Sequence, residues 1–526
     1  MYMKKVIIII VASVFITSTL SGQIKDSIQK FPDFQTRELQ GLRQLWNKTE
    51  NSAGMGFSNV NTGSLTSINK YFSNGDHHRV QEGSANNGLT FSTERYDKFS
   101  EKVYVRGSFA FNMNTEEDRG WSDVVNTYNS NPYIYGSSVR GNYESQNFDL
   151  NLKVFSVREN GFNYGFTIDY HVADISRQRD PRSRTYVLDY SIIPSITYSI
   201  DNHNYVGINL NYRFDKEKMP GLTTVQTDPN LKYYTFSGLE NAIGRIGGYR
   251  AFSRQFIGDN VGGSLQYNFK KSNINWLISL GMDAGWQETL GDKKQTPGSF
   301  NSFDYKFLSN LLIYKNSYLH NFLLNVNVKD AGADEHRQNL ISTRDTLTGI
   351  TTENWVTIYT YKNRFVSLTS DVTLKWDIYS LQKNNDSYNW RVGVNAGYSS
   401  FSNIYYLPKS EYSAGRVIAG ISGSYVITAN KQRKLLFEGS FNSGISTGAK
   451  LNLASQTEIA ENILMPDFEF HKQNTAEVLG SVKYTFPLQT IKNARLSGYV
   501  RLYGGNLFAG AANWSNFGFA VGILTL

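Results

Sequence analysis

The most informative stretch of the sequence is residues 366–399, which read VSLTSDVTLKWDIYSLQKNNDSYNWRVGVNAGYS. Most even-numbered positions from Val366 to Ile378 are apolar, and every odd-numbered position between them is polar. After a polar turn the same alternation returns from Tyr388 to Tyr398. A period of two is typical of a β-strand whose two faces meet different surroundings. The stretch therefore predicts an antiparallel hairpin with one apolar and one polar face.

The same period recurs from about residue 62 to the end of the chain. Residues 103–113, 147–154 and 162–171 are clear examples, and the last follows the dipeptide Asn160-Gly161. Asn-Gly is a strong hairpin signal because both residues tolerate the positive φ angles of a tight turn. The sequence therefore predicts an all-β fold made of consecutive hairpins.

Short and long connections alternate along the chain. Short turns are predicted near 97–101, 157–161, 201–204, 270–273, 315–317, 380–387, 429–433 and 488–493. Longer polar stretches lie near 74–87, 115–144, 172–190, 215–259, 285–301, 330–362, 400–414, 447–473 and 504–513. This alternation is typical of transmembrane β-barrels. It predicts an antiparallel up-and-down barrel of about 18 strands, closed because an open edge in lipid would leave backbone groups unpaired.

The composition agrees with a barrel and excludes other classes. The 526 residues include 34 Tyr, 32 Phe and 44 Gly but no Cys, and only 19% are charged. Mean hydropathy is −0.41, and beyond the N-terminus no run approaches the ~20 apolar residues of a membrane-spanning helix. The net charge of +8 is modest for this length. These values exclude a helical membrane protein and argue against a nucleic-acid-binding protein.

Residues 1–22 have the pattern of a secretory signal peptide. Lys4 and Lys5 precede an apolar core, and small residues follow it up to Gly22. A membrane anchor is the alternative, but the apolar stretch is too short to span a bilayer. We therefore expect a cleaved signal peptide and a mature chain that enters the periplasm or passes beyond it.

Residues 23–61 separate the signal peptide from the predicted barrel at 62–526. Leu39, Leu42 and Leu45 recur at helical spacing among charged and amide side chains. We expect a short N-terminal helical segment that is inserted in the periplasmic mouth of the barrel or caps it. The alternative is a partly ordered leader packed on the rim.

The polar face of the strands is the candidate functional surface. A charge on the lipid side would cost ~2–4 kcal/mol at mid-bilayer, so charges at the alternate polar positions are predicted to line the lumen. The lumen-lining candidates are Arg106, Lys153, Asp169, Arg213, Lys306, Asp371, Lys375, Arg391, Glu438, Lys483 and Arg501. In one interpretation, they line a conduction path whose small cationic excess favours anionic or polar solutes. In the other, they pair across strands and fill a closed barrel.

The longest predicted loop, 215–259, is a candidate constriction. Apolar residues from Phe236 to Ile246 have weak helical spacing. The constriction candidates that follow are Tyr249, Arg250 and Arg254. Folded inward, the loop would narrow or plug the lumen; left outside, it would be a partner-binding lid or surface cover. An arginine-rich stretch at 177–184 is predicted either to contact lipopolysaccharide phosphates or to be a solvated loop.

Signatures of catalysis and cofactor binding are absent from the sequence, which has no nucleotide-binding loop, zinc-protease motif or calcium loop. His77 and His78 follow an acidic residue in a predicted loop, where a solvated tip is favoured over a metal site because adjacent side chains on an extended chain point apart. His171 lies on the predicted polar face near Asp169, but no spacing marks a serine–histidine–acid arrangement. We expect no enzymatic activity, cofactor or metal site.

Three short motifs are Leu45-Trp46, Asn51-Ser52-Ala53-Gly54-Met55 and Asp180-Pro181-Arg182. Together with a barrel that extends to the last residue, they resemble an uncharacterised family of outer-membrane β-barrels from Bacteroidota, known as a domain of unknown function. The resemblance implies an outer-membrane location and a partnership with TonB-dependent receptors. The Asn-Ser-Ala-Gly stretch is also similar to the start of long-chain fatty-acid transporter barrels.

The sequence thus predicts a barrel in the outer membrane of a Gram-negative bacterium, in contact with membrane lipid and lipopolysaccharide and with no nucleic-acid partner. The first functional hypothesis is a channel, or an accessory barrel of an uptake complex, for small polar solutes. The second is a non-conducting scaffold barrel that binds a surface lipoprotein or a TonB-dependent receptor. A membrane-embedded hydrolase that uses His171 is a third, more distant hypothesis.

Overall fold

The computed structural model describes residues 31–57, 62–157, 161–225, 231–246, 252–430, 432–491 and 494–525. The fold is a closed barrel of 18 antiparallel strands with short helices at the ends of its lumen. The predicted fold class and strand number are therefore confirmed. The predicted signal peptide lies outside the described residues.

The strands are β1 (Gly63–Gly75), β2 (Ala85–Ser100), β3 (Val103–Arg119), β4 (Gly141–Ser156), β5 (Phe162–Arg177), β6 (Arg182–Ser199), β7 (Asn204–Met219), β8 (Arg254–Lys271), β9 (Ile274–Leu290), β10 (Gly298–Lys315), β11 (Tyr318–Arg344), β12 (Thr351–Leu381), β13 (Tyr388–Tyr405), β14 (Ser410–Asn430), β15 (Arg433–Asn452), β16 (Thr475–Ile491), β17 (Ala494–Ala509) and β18 (Ala512–Thr525). Each strand pairs with its neighbour along the chain. β1 also pairs with β18, from Ser64 opposite Thr525 to Gly75 opposite Trp514. This pairing closes the sheet, so its first and last strands have hydrogen-bonded edges.

Alternation along each strand separates an outer apolar face from an inner polar face. On β12, Leu374 and Trp376 are exposed on the outside, whereas Lys375 between them lines the lumen. Exposed apolar side chains such as Leu265 and Leu280 extend this outer face around the wall. A continuous apolar outer face suits contact with acyl chains.

Turns of two to six residues join the strands at one end of the barrel, and connections of two to 34 residues join them at the other. The predicted long loops 172–190, 400–414 and 504–513 are wrong in extent, because the strands there continue until only two to four residues separate them. The predicted loop 330–362 is wrong in extent, because β11 and β12 continue as a two-stranded hairpin beyond their neighbours. Strand pairing with β10 stops at Glu335, and pairing with β13 starts at Phe365. Residues 351–361 are rich in Thr, Val, Ile and Tyr, which favour an extended backbone.

The predicted N-terminal helix is confirmed as α1 (Phe34–Arg43). Asp33 caps it, because its carboxylate accepts a hydrogen bond of 2.7 Å from the backbone N–H of Thr36. Short 3-10 helices follow at Leu45–Lys48 and Ser52–Phe57. Among the described residues, no helix combines the length and apolar character needed to cross a bilayer.

The part of loop 215–259 predicted to have helical spacing is instead a hairpin. Residues 232–238 and 241–246 are paired strands, and the first of them also pairs with a short strand at 135–137. The prediction is wrong because Tyr, Thr and Phe favour extended backbone here and Gly238 adopts a positive φ of 135° at the reversal.

Candidate functional site

Residues 33–57, called here the N-terminal plug, fill the lumen at the short-turn end. Arg43 donates a hydrogen bond of 2.6 Å to the backbone carbonyl of Asn385, in the turn between β12 and β13. The plug packs its apolar side chains on inward-facing apolar side chains of the wall. The cluster includes Leu39, Leu45, Trp46 and Met55 of the plug and Phe155, Leu277, Leu312, Leu319, Tyr379, Leu381 and Tyr388 of the wall. Burial of apolar surface therefore holds the plug in place.

The Asn-Ser-Ala-Gly stretch docks the plug on the wall. Asn51 donates through Nδ2 to the side-chain oxygen of Gln266 at 2.8 Å, and the backbone N–H of Ala53 donates to Ser195 Oγ at 3.1 Å. The close approach requires glycine on the wall, because a Cβ at Gly207 would lie 2.8 Å from Asn51 Nδ2. This stretch therefore acts as an anchor of the plug.

Ion pairs join the plug to side chains that were predicted to line the lumen. Lys306 pairs with Glu50 of the plug at 2.9 Å, and Arg391 pairs with Glu38 at 3.7 Å. Partly exposed pairs contribute about 0–1 kcal/mol each, and salt weakens them. They orient the plug more than they stabilise it.

Three connections fold inward at the opposite end and form the outer plug: residues 120–140, 231–246 and 453–474. The third contains α2 (Met465–Lys472). The core of the outer plug includes Val124, Tyr133, Tyr135, Leu231, Tyr233, Leu239, Leu464 and, on the wall, Met219, Phe256, Phe300, Phe365, Tyr405 and Tyr412. Within it, the carboxylate of Asp123 accepts hydrogen bonds of 2.5 Å from the hydroxyls of Tyr143 and Tyr233. The described tip of loop 215–259 thus lies inside the barrel.

The constriction candidates are only partly described. Tyr249 and Arg250 lie outside the described residues. Arg254 is buried at the start of β8, with its guanidinium 5.5 Å from the ring centre of Phe252. Its position supports the packing of the outer plug on the wall and does not border an open passage.

Between the two plugs lies a cavity of about 640 Å³, the main chamber, bounded by β1–β11 and by Glu50. Its wall carries seven carboxylates against three permanently cationic side chains. The carboxylates are Glu50, Glu94, Asp149, Asp169, Asp189, Asp283 and Asp304, and the cations are Arg213, Lys306 and Lys329. The expectation of a cationic excess is therefore wrong for this chamber, because many of the predicted cations lie on other strands.

Two carboxylates of the main chamber form no direct ion pair among the described residues, although Lys153 acts electrostatically on Asp169 and Arg213 acts on Asp304. Asp169 accepts a hydrogen bond from Asn151, and Asp304 accepts one of 3.5 Å from Ser302. Neither carboxylate forms an ion pair within the part of the chain that the structure describes. An excess of carboxylates over cations in a confined space attracts cations and repels anions.

A charged belt separates the main chamber from a smaller cavity of about 160 Å³ under the outer plug. His171, Asp189 and Arg213 line both cavities. His171 Nδ1 lies 2.6 Å from the carboxylate of Asp149, and Arg213 donates to Asp189 at 2.6 and 2.9 Å. A solute moving between these two cavities would pass the belt.

A further cavity of about 830 Å³, the second chamber, is bounded by β12–β18. Its charges balance, with Lys375, Arg391 and Arg501 against Asp377, Glu438 and Glu477. Glu438 and Arg501 lie 3.5 Å apart, which matches the predicted cross-strand pairing. Ion pairs occur on both sides of the lumen, since Arg213 and Lys306 also pair with carboxylates in the main chamber.

The remaining lumen-lining candidates also lie on the inner wall. Arg106 forms an ion pair of 3.0 Å with Glu94, and Lys153 is buried. Lys483 lies over an aromatic ring of the N-terminal plug. Asp371 borders a separate cavity beneath the outer plug. The candidates are thus distributed over several places and do not form a single cluster.

The structure also bears on the sequence predictions for the histidines and for the arginine-rich stretch. His77 is buried and stacks on Phe470 with 4.3 Å between ring centres, so the solvated tip predicted for it is wrong. Within the described residues, no group of three His, Asp or Glu side chains could hold a metal ion. His171 contacts a carboxylate, but no hydroxyl is hydrogen-bonded to it in the described chain. Arg177 is buried and donates to a backbone carbonyl, so it is not available to lipopolysaccharide.

Sequence reasoning missed the inward apolar side chains that hold the N-terminal plug. Leu277 and Leu312 are fully buried inside the wall. A signal was present, because 276–278 and 311–313 are runs of three apolar residues, which make both faces of a strand apolar. Such runs near the turns indicate a plugged lumen.

The sequence matches a family of unknown function, DUF6850, over residues 52–525. The chain belongs to this family. No curated protein matches it. The matched region covers the barrel and begins at Ser52, so it includes Ser52–Gly54 of the docking stretch but not Asn51.

Solved structures of similar fold are outer-membrane barrels. The copper transporter OprC aligns with 88% of this chain and 81% of its own, with a TM-score of 0.38 and 8% identity. The outer membrane transporter YddB from Escherichia coli aligns with 88% and 80%, with a TM-score of 0.38 and 8% identity. A Pseudomonas aeruginosa FadL homologue aligns with 90% and 92%, with a TM-score of 0.32 and 9% identity. At these values, the likeness does not extend to a solute or partner.

Proposed function

We propose that this DUF6850 chain is a barrel in the outer membrane of a Gram-negative bacterium of the Bacteroidota, surrounded by membrane lipid and lipopolysaccharide. In this proposal it admits small polar solutes through a gated lumen, alone or as the accessory of an uptake complex. The observation that carries the proposal is the pair of polar chambers, of about 640 and 830 Å³, between two plugs that lie inside the wall. A plug of this kind can move while the wall stays closed to lipid.

The charge of the main chamber supports a preference among polar solutes. Asp169 and Asp304 form no direct ion pair in the described chain, and Asp189 belongs to the charged belt. Fixed charges along a lumen set which ions enter it. Small cations therefore pass in preference to anions.

Planar-bilayer recording of the purified full chain tests this proposal. We expect step currents, and in a salt gradient we expect a reversal potential with the sign of a cation-selective channel. Changing Asp169→Asn together with Asp304→Asn removes the two unpaired charges and shifts the reversal potential toward zero. Glu411→Gln is the matched control, because Glu411 pairs with Lys450 outside the main chamber. Silent bilayers from a folded barrel would contradict the channel proposal.

A scaffold barrel that binds a surface lipoprotein or a TonB-dependent receptor is the second candidate. It is favoured by the hairpin of β11 and β12, where Ile341, Ile358 and Tyr359 are exposed and Leu347 at the tip is 96% exposed. Exposed apolar groups beyond the rim are typical of interaction surfaces. A receptor that co-purifies with the full chain, and is lost when residues 338–357 are replaced by a short turn, would support this candidate.

We also propose that the chain is not an enzyme and needs no cofactor or metal. The support is the setting of His171, which contacts Asp149 and has no hydrogen-bonded hydroxyl among the described residues. A serine-dependent hydrolase needs that hydroxyl next to its imidazole. A lipase or protease activity of the purified chain that disappears in His171→Ala would contradict this proposal.

A further inference from the structure

A cavity of about 350 Å³, the outer cavity, lies between the outer plug and the inner face of β12–β14. Its volume is within the range of small-molecule sites in proteins. The strands contribute mostly polar side chains to its wall, and the outer plug contributes an apolar surface that includes Ile134, Phe236, Leu239 and Leu464. A ligand of this cavity would therefore need apolar and hydrogen-bonding groups on different parts of its surface.

Four side chains of the strands form one compact patch in this wall. Thr369 on β12 lies directly opposite Phe401 on β13, and Asp371 lies directly opposite Ser399. All four line the outer cavity. Neighbouring strands are about 5 Å apart, and residues two positions apart on one strand are separated by about 7 Å. One small ring-shaped ligand can therefore contact the whole patch.

The three polar side chains of the patch are free to bind a ligand. Among the described residues, Thr369, Asp371 and Ser399 form no side-chain hydrogen bond or ion pair. Asp371 and Ser399 are exposed, and Thr369 is partly buried. In the second chamber, by contrast, inward amide and carboxylate side chains bond to one another, as Asn442 does to Glu477 at 3.0 Å. The patch thus presents accessible hydrogen-bonding groups that the protein itself does not use.

Phe401 gives the patch an apolar surface. Its ring meets the edge of Tyr412 with 5.0 Å between ring centres and lies 5.0 Å from the ring of His471. These contacts fix the orientation of the ring. The side chain of Phe401 is only partly buried, so part of its surface is available to a ligand with C–H groups on one face.

The charge around the patch is close to balanced. Asp371 forms no ion pair in the described chain, but a cation lies on each side of it. Lys329 on β11 is opposite Thr369, and Arg416 on β14 is opposite Ser399. Arg416 donates to a backbone carbonyl, which does not neutralise its charge. The two cations offset the charge of Asp371, so the patch does not require a charged ligand.

The other ionisable groups of the outer cavity are neutral or already bonded. Burial lowers the pKa of the His471 imidazole to about 4, so the ring is neutral at pH 7. Arg79 is paired with Glu82 at 2.6 Å. Burial raises the pKa of Asp467 to about 6, and its carboxylate accepts a hydrogen bond of 2.8 Å from the backbone N–H of Val80. The hydrogen-bonding groups of the patch are therefore the ones left for a ligand.

We propose that the outer cavity binds the ring of a neutral sugar on its way into the lumen. One face of a pyranose ring carries C–H groups and packs on Phe401, and the other face meets the apolar surface of the outer plug. Hydroxyls around the ring donate to the carboxylate of Asp371 and exchange hydrogen bonds with Thr369 and Ser399. A single charged group cannot reach these three partners at once, whereas hydroxyls distributed around a ring can.

This inference rests on the proposed function for the direction of transfer, because it names a class of small polar solute that the lumen would admit. Equilibrium binding to the purified full chain tests it. The detergent is an oligooxyethylene, since maltoside and glucoside detergents carry sugar themselves. The probes are the methyl β-glycosides of glucose, galactose and mannose. Sorbitol, which has hydroxyls but no ring, and phenethylammonium, which has a cation and an apolar body, are the comparison ligands. We expect saturable binding of at least one glycoside at concentrations at which neither comparison ligand binds.

Substitutions in the patch should weaken this binding. Asp371→Asn weakens it about tenfold because a charged acceptor is lost, and Ser399→Ala weakens it about threefold. Phe401→Leu weakens it about threefold because the aromatic ring is lost. Ser402→Ala, on the opposite face of β13, and Glu411→Gln, outside the cavity, are the matched controls and leave binding unchanged. Every variant should keep the heat-dependent gel mobility of a folded barrel.

Three outcomes would overturn the inference: a comparison ligand that binds as tightly as the glycosides, glycoside binding that Asp371→Asn and Ser399→Ala leave intact, or no glycoside binding. The measurement uses no membrane and no current. A chain that binds a glycoside but does not conduct would therefore refute only the channel proposal, whereas one that conducts but binds no glycoside would refute only this inference.

Discussion

The two plugs close the same lumen in different ways. The N-terminal plug is one continuous segment, anchored by the stretch at 51–54 and oriented by ion pairs of Glu38 and Glu50 with the wall. The outer plug is assembled from three connections around an aromatic core, with Asp123 bound by two tyrosine hydroxyls. A single anchored segment can leave as a unit, whereas three interlocked connections must unpack together. We therefore expect the N-terminal plug to be the part that moves.

The largest effect is expected at the anchor of the N-terminal plug. A Cβ at Gly165 would overlap the backbone nitrogen of Ala53 and lie 2.5 Å from Ser52 Oγ. Overpacking of this kind costs about 1–3 kcal/mol, which corresponds to a roughly 5- to 150-fold larger open population. We expect Gly165→Ala to increase open events in planar-bilayer recording by that factor.

Gly107→Ala is the control for this change, because the space around Gly107 holds no atom within 4 Å of a new Cβ. It lies on β3, so it tests the effect of alanine in a strand of the same barrel. If Gly165→Ala shows no more open events than Gly107→Ala while both variants remain folded, the N-terminal plug is not the gate.

A smaller effect is expected inside the outer plug. Tyr233→Phe removes one of the two hydroxyls that bind the buried carboxylate of Asp123 and destabilises the plug by about 1–3 kcal/mol. Hydrogen–deuterium exchange of residues 120–140 should therefore accelerate, while open events change little because the aromatic core remains. Tyr170→Phe, on the exposed outer face, is the control. If Tyr233→Phe increased open events as much as Gly165→Ala does, the two plugs would contribute equally to closing the lumen.

The ion pairs of the N-terminal plug provide a weaker test. Glu50→Gln removes the partner of Lys306 and is expected to cost about 0–1 kcal/mol. Open events of the unmodified chain should increase with salt concentration because ions screen the pair, and this dependence should be reduced in the variant. Exchange of 120–140 in the outer plug should not follow salt. If exchange of 120–140 followed salt and open events did not, the comparison between the two plugs would be reversed.

The smallest effect is a pH dependence of the outer plug. The pKa of His471 is lowered to about 4, so its contribution to plug stability is present above pH 6.5 and lost as pH falls through 4. The pKa of Asp467 is raised to about 6, so its contribution has the opposite sign: it is present below pH 3.8 and lost as pH rises through 6. The two nearly cancel in the unmodified chain.

Single substitutions should reveal the opposing contributions of the two groups to the stability of the outer plug. As pH falls from 6.5 to 4, we expect the outer plug to become more stable in His471→Gln and less stable in Asp467→Asn. Hydrogen–deuterium exchange of residues 453–474, corrected for intrinsic exchange rates, measures this change. Identical pH profiles for the two variants would show that neither group titrates in the plug.

The barrel itself followed from the sequence because alternation is a local property of each strand. The parity that made Leu374 outward and Lys375 inward holds along β12, and the same argument places Arg213 and Lys306 inside the main chamber. The strand count followed from the spacing of turns. These inferences need only the two-residue period and the cost of charge in lipid.

The contents of the lumen did not follow, because they depend on contacts between distant segments. The apolar spacing from Phe236 to Ile246 belongs to a hairpin whose register is set by a strand at 135–137. The acidic character of the main chamber depends on which charges share a cavity, and the total number of inward charges does not reveal it. Likewise, the burial of His77 depends on Phe470 of α2, which stacks on its ring.

The hairpin of β11 and β12 offers a way to determine the orientation of the barrel. From Glu335 to Arg344 it rises nine residues past its neighbours, about 30 Å at ~3.3 Å per residue. If the barrel lies in the outer membrane with its longer connections outside, as proposed, this hairpin reaches farther from the membrane than the strands beside it. Its turn at Gly349 is accordingly the natural place for a peptide tag that reports which side of the envelope it occupies.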